Sequence, residues 1–252
     1  MTEVLRAEGL VRRYDGRLVL DHVDLSARAG RVTAVIGPNG AGKTTLFQCL
    51  SGVGPVDAGQ VWLAGHDVTR RSSDERARLG LARTFQHSSL FATMTVADNL
   101  RVAAENHTRR GVARGLLGVP DRGSAAIDAR ISAVAAALGV GRWLEARAGT
   151  LPTGTLRLAE MARALCLDPL VLLLDEPASG LDGHETDELH RIIEQLVRDG
   201  LAIVVIEHDI DLVLGVADEL VALAGGRVVA AGAPAEVARH PAVRELVLGR
   251  PA

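Results

Sequence analysis

The chain has 252 residues, 48% of them hydrophobic, and a formal net charge of −3. That size and apolar content support a sizeable buried core and exclude disorder, while the near-neutral balance excludes the broad basic footprint of a nucleic-acid binder. The two cysteines, Cys49 and Cys166, are far apart in apolar helical patterns, so neither a disulfide framework nor a clustered metal site is indicated, and a reducing compartment fits. Residues 1–14 carry charges where a signal peptide needs an apolar run, and no stretch reaches the ~18 apolar residues of a membrane span. The expectation is a cytosolic chain that does not cross a membrane.

In chain order, the stretch up to about residue 29 reads as two extended segments with Asp15-Gly16 as the turn between them, predicting an antiparallel edge sheet. Tyr14, the sole tyrosine, is either a core residue or an exposed aromatic able to stack on a base. Residues 32–36 form an apolar strand leading into Gly37-Pro38-Asn39-Gly40-Ala41-Gly42-Lys43-Thr44-Thr45, followed by a helical pattern over 44–50. This is a P-loop with its required context on both sides. Its glycines let backbone N–H groups curl around a phosphate, Lys43 reaches the β/γ oxygens, and Thr44 can ligate Mg²⁺. The chain has 28 basic residues, and Lys43 is the only lysine among them. A compact ammonium fits inside a tight loop where a planar guanidinium does not.

Further along, Gln86 follows Arg83-Thr84-Phe85. From about residue 95 to 147 alanine-rich helical patterns dominate, so a helical subdomain, about residues 95–168, is read as inserted into an α/β core. Residues 101–147 hold eight arginines against four acids, among them Arg109, Arg110 and Arg114, which form either a solvated face or a docking surface. Leu151-Pro152-Thr153-Gly154-Thr155 precedes a helix over 156–167. The apolar run 170–174 ends in Asp175-Glu176, delivering two carboxylates to the C-terminal end of a strand, where open α/β sheets bind ligands. Asp175 suits Mg²⁺, and Glu176 suits a general base acting on water. In isolation the pair reads equally as helix-capping acids in a turn. Ser179-Gly180-Leu181-Asp182 follows. Residues 186–199 form an amphipathic helix, and residues 202–206 form a strand ending in Ile206-Glu207-His208-Asp209. Strands alternating with helices indicate a parallel sheet.

The order P-loop, Gln86, residues 151–155, Asp175-Glu176, Asp182, His208 resembles the ABC (ATP-binding cassette) ATPases over nearly the whole chain. The resemblance implies an α/β P-loop NTPase core with an N-terminal antiparallel β subdomain and an inserted α-helical subdomain, within one ABC ATPase domain spanning residues 1–252. It implies ATP and Mg²⁺ as ligands, hydrolysis of ATP, His208 at the γ-phosphate, Gln86 sensing Mg²⁺ and the attacking water, and Tyr14 stacked on adenine. It also implies that Pro152, Thr153, Gly154 and Thr155, the counterpart of a signature usually reading Leu-Ser-Gly-Gly-Gln, and Asp182 of the D-loop complete the site of a second cassette. Here the match departs from the pattern: Pro152 lacks a hydroxyl and an N–H, Thr155 replaces glutamine, and Thr153 is the available substitute hydroxyl.

Two further stretches are similar to subunits for branched-chain amino-acid uptake. These are residues 90–100 with the arginine-rich insertion after them, and residues 232–249 with His240-Pro241-Ala242-Val243. The partners implied are a second ABC ATPase subunit, identical or paralogous, integral membrane permease subunits and, indirectly, a solute-binding protein, with no nucleic acid. The place implied is the cytoplasmic face of the cell membrane. Soluble ABC proteins of DNA repair or translation usually carry zinc-binding cysteine pairs, long coiled coils or two cassettes, and exporter halves a fused membrane segment. None of these features is present in the sequence.

Overall fold

The computed structural model of the chain describes residues 2–85, 89–108, 123–207 and 210–246. Gln86, His208 and the arginines at 109, 110 and 114 lie outside them. The first two elements, β1 (Glu3–Tyr14) and β2 (Arg17–Arg28), pair antiparallel across Asp15-Gly16, with Tyr14 opposite Arg17. With β4 (Ala58–Leu63) and β5 (His66–Asp67) they form a four-stranded sheet in the order β2-β1-β4-β5.

The second sheet has six strands in the order β10-β9-β3-β8-β7-β6. Its members are β3 (Val32–Ile36), β6 (Leu81–Arg83), β7 (Val171–Asp175), β8 (Ala202–Ile206), β9 (Glu219–Ala224) and β10 (Arg227–Gly232). All pairs are parallel except β10 with β9. The central strands β3, β7 and β8 are buried along their whole length and mostly apolar, because both faces are covered. Alternate residues serve different layers. Val35, Leu173 and Val204 pack with α1 (Lys43–Ser51) and the antiparallel sheet, whereas Ala34, Leu172, Leu174 and Val205 pack on the opposite side with the helices. The expected parallel core and antiparallel N-terminal sheet are both present.

On the helical side lie α3 (Val96–Thr108), α4 (Gly123–Ala137) and α5 (Thr153–Leu165). The short α2 (Ser73–Arg78) precedes β6. After β7 come α6 (Gly183–Arg198) and α7 (Ile210–Val216), and the chain continues into α8 (Pro234–Val237) and α9 (Pro241–Leu246). Two helices start earlier than their apolar periodicity predicts. α5 begins at Thr153, not at 156, because Pro152 enters it with φ −57° and its carbonyl accepts the Leu156 N–H at 2.8 Å. α6 begins at Gly183, not at 186, because Asp182 and Glu185 form a capping box. Apolar spacing locates a helix's buried face, whereas the residues flanking it set its ends.

Arg76 joins the layers. It is 1% exposed and donates to the carbonyls of Cys49 and Leu50 at 2.6 and 2.7 Å, closing the C-terminal end of α1. Further bonds reach the carbonyls of Arg71 and Thr69. Burial pushes its guanidinium down to about 10. Cys49 and Cys166 are free, buried thiols, raised by burial to about 11.

Candidate nucleotide site

Because β3, β6, β7 and β8 run parallel, their C-terminal ends share one edge, which is where ligands bind in such sheets. The loop after β3 carries residues 37–42, β7 ends on Asp175, and β6 ends on Arg83.

The loop after β3 needs glycine at two places for different reasons. A Cβ on Gly37 would lie 2.2 Å from the Leu223 carbonyl oxygen, so β9 presses the loop backbone too closely for any side chain. Gly42, the N-cap of α1, has φ 106°, which L side chains rarely adopt, and a Cβ there would meet Val19 O at 2.9 Å. No side chain caps α1, and its first turn holds no acid. Its leading N–H groups and positive dipole end are therefore available to an anion.

Lys43 is 6% exposed, and its ammonium donates to Gly37 O at 2.6 Å and Pro38 O at 3.1 Å. Burial lowers its pKa, while the charges of Glu176 and Asp175 oppose that shift. The buried ammonium thus sits on carbonyl oxygens within electrostatic reach of two carboxylates. Thr44 is exposed, Thr45 half-buried, and Asn39 and Gly40 exposed, while Ala41 is buried and Pro38 partly so. Across the loop, Tyr14 is 41% exposed. Its hydroxyl donates to Gln48 Oε1 at 3.0 Å, and the Arg12 guanidinium lies 4.3 Å from its ring centroid. It is a surface ring held beside α1, not a core tyrosine.

Asp175 is 4% exposed. It accepts from Arg83 Nη2 at 2.9 Å, and its N–H donates to Thr84 Oγ1 at 3.4 Å. Glu176 has φ 49°, unusual for a residue with a side chain, and its N–H donates to Ile206 O at 3.0 Å. Strain of this kind persists only where surrounding contacts overdetermine it, and it concentrates at functional positions. One such contact is Glu207, 4% exposed, whose carboxylate accepts the Ala178 N–H at 2.9 Å and ties β8 to the loop after Glu176.

The segment after Phe85 is tied to α5. Ser89 donates its N–H to Glu160 Oε1 at 2.8 Å, and Arg163 donates to the Ser89 carbonyl at 2.6 Å and to its hydroxyl. Every polar group of Ser89 is therefore held by one helix. At the amino end of that helix Pro152 and Thr153 are exposed, Thr155 is half-buried and Gly154 is buried. A Cβ on Gly154 would lie 2.2 Å from Glu185 Oε1, so glycine permits a close approach to α6. Asp182 spends one oxygen on the Glu185 N–H at 2.8 Å.

The structure thus brings the P-loop, Asp175 and Glu176 to one sheet edge, with Tyr14 beside α1. Arg83, Ser89, Glu160 and Glu207 were not singled out from sequence. Glu207 and Arg83 had one available signal, adjacency to recognisable motifs, whereas Ser89 and Glu160 had none.

Residues 20–179 match the family model described as ABC transporter. The chain is 36% identical over 249 residues to LivG of Salmonella typhimurium, a high-affinity branched-chain amino acid transport ATP-binding protein, covering 98% of each chain. It is 35% identical over 256 residues to BraF of Pseudomonas aeruginosa, which carries the same description, again covering 98% of each. Its fold is similar to the crystal structure of an ATP-binding cassette of an ABC transporter in its ADP conformation. The TM-score is 0.86 at 28% identity, over 99% of this chain and 100% of that one.

Proposed function

The chain belongs to the ABC transporter family, and we propose that it is the ATP-hydrolysing subunit of an importer for branched-chain or related hydrophobic amino acids. The observation that carries this reading is the buried Lys43 ammonium, held in the P-loop and facing Asp175 and Glu176, in a chain aligned end to end with LivG and BraF.

The donor set fits Mg·ATP. The uncapped amino end of α1 and the Lys43 ammonium take the phosphates, and Tyr14 offers a ring face to adenine. Thr44 and Asp175 provide oxygen ligands of the hard kind that Mg²⁺ prefers, with Gln86 a third candidate outside the described residues. When bound, Mg²⁺ neutralises charge on the β- and γ-phosphates. Glu176 accepts a proton from the attacking water, and the strained backbone fixes where its carboxylate points. His208, next to the anchored Glu207, is assigned to the γ-phosphate. Pro152, Thr153, Gly154 and Thr155, with Asp182, face the site of a second cassette.

Among the described residues no helix is long and apolar enough to cross a membrane, so attachment to the cytoplasmic face runs through permease subunits. The helical side offers exposed apolar side chains for this, Phe91 at 51% and Val102 at 37%.

The test is reconstitution with the membrane subunits that copurify with this chain. A binding protein loaded with leucine, isoleucine or valine should stimulate ATP hydrolysis, and Glu176→Gln should abolish it while ATP binding persists. Absence of membrane subunits on purification, or stimulation by none of these solutes, counts against the reading.

A further inference from the structure

A further buried cation, Arg83, lies at the site beside Asp175. Arg83 closes β6, and the side chains of Arg83 and Asp175 are 7% and 4% exposed. One guanidinium nitrogen donates to Asp175 Oδ2 at 2.9 Å and another to Ser51 Oγ at 3.3 Å. The third, Nε, is buried with no hydrogen-bond partner among the described residues. The rings of Phe47 and Phe85 lie 5.6 and 5.1 Å from the guanidinium carbon. Burying a guanidinium is costly, and a buried ion pair is often no more stable than apolar residues of the same volume. An incompletely satisfied arginine is therefore a poor device for stability alone. What it does is set one charge on one oxygen of Asp175.

We propose that Arg83 is a positioning residue that holds Asp175 before nucleotide arrives and keeps a lone divalent cation out of the site. Asp175 and Glu176 are adjacent acids at the sheet edge that also carries the P-loop with Thr44, oxygen donors of the kind that attract a free divalent cation. A guanidinium bonded to the Asp175 carboxylate repels such a cation and competes for the same oxygen. The phosphates of a nucleotide add negative charge that offsets this repulsion, so cation and nucleotide enter together. The two phenylalanine rings hold the guanidinium plane in place by cation–π contact. The inference rests on the assignment of Asp175 to the metal.

The probe is Mn²⁺, its free concentration followed by electron paramagnetic resonance in the nucleotide-free protein and again with ATP. Wild type should take up Mn²⁺ with ATP and far more weakly without it. Arg83→Gln should bind Mn²⁺ alone about tenfold more tightly or better, since a unit charge close to the ion is removed. Arg83→Met, whose flexible side chain fills the space between two rings, should do the same if the glutamine variant does not fold. Arg83→Lys keeps the charge and should still exclude Mn²⁺ alone, which a merely structural role does not require. Folded neutral variants with unchanged affinity for Mn²⁺ alone overturn the proposal, provided Asp175→Asn weakens uptake with ATP. If Asp175→Asn leaves uptake with ATP unaltered, the metal assignment itself falls and the proposal with it.

Discussion

Replacing Glu176 by alanine and, separately, by glycine isolates the backbone strain at the proposed catalytic base. Both variants lose the carboxylate and should lose hydrolysis, so their difference in stability reports the backbone alone. In an ordinary helix or strand interior glycine is the worse residue by about 0.5–1 kcal/mol, because it loses more conformational freedom on folding. At φ 49° the balance reverses, since a left-handed conformation costs a residue with a Cβ about 1–2 kcal/mol and glycine almost nothing. The difference leaves Glu176→Gly more stable than Glu176→Ala by up to about 1.5 kcal/mol, or up to about 6 °C in Tm for a domain of this size. Thermal melts followed by circular dichroism, with urea titrations as a second measure, decide the sign. A glycine variant that melts below the alanine variant refutes the claim that the site holds its base in a strained conformation.

Other predictions follow from individual contacts. Lys43→Arg should weaken nucleotide binding about tenfold or more despite keeping the charge, because the guanidinium cannot occupy the buried space between the Gly37 and Pro38 carbonyls; titration with a fluorescent ATP analogue showing wild-type affinity would contradict it. Arg163→Ala should leave the Ser89 carbonyl and hydroxyl without their donor, at a cost of about 1–3 kcal/mol in urea unfolding, and a loss below 0.5 kcal/mol would show that the clasp is not a stabilising contact. The thiols of Cys49 and Cys166, raised from 9.0 to about 11, remain protonated in the fold while the unfolded chain ionises. Their contribution is complete below pH 9 and is lost as pH rises towards 11, so unfolding free energy should fall across that window, and alanine at both positions should remove this slope. In a transporter pairing this chain with a cassette of standard signature, Glu176→Gln here should remove more steady-state hydrolysis than the equivalent change in the partner. The partner's site receives Pro152 and Thr155 in place of two γ-phosphate donors, each worth about 1.5–3 kcal/mol when charge-assisted; equal losses would refute this asymmetry.

Elements whose cause is local can be read directly from the chain. The strands at 32–36 and 202–206 were legible to the residue as apolar runs, and the β1–β2 hairpin from its Asp-Gly turn. The P-loop was legible because glycine spacing and one lysine encode a backbone shape within nine residues. The partnership of Arg83 with Asp175 joins positions 92 apart, that of Ser89 with Arg163 positions 74 apart, and that of Glu207 with Ala178 positions 29 apart. None of these pairings leaves a periodicity in the chain. The sheet order β10-β9-β3-β8-β7-β6 sets them, by bringing the ends of β6, β7 and β8 to one edge. Lys43 is buried on the carbonyls of its own loop, and Arg76 on the carbonyls at the end of α1 and in the loop before α2. Glu176 follows the last residue of β7, and its left-handed backbone, held by the N–H bond to Ile206 of β8, is not announced by the sequence. A charge's environment and a residue's strain depend on which distant layers close over it, and those layers meet only in the folded chain.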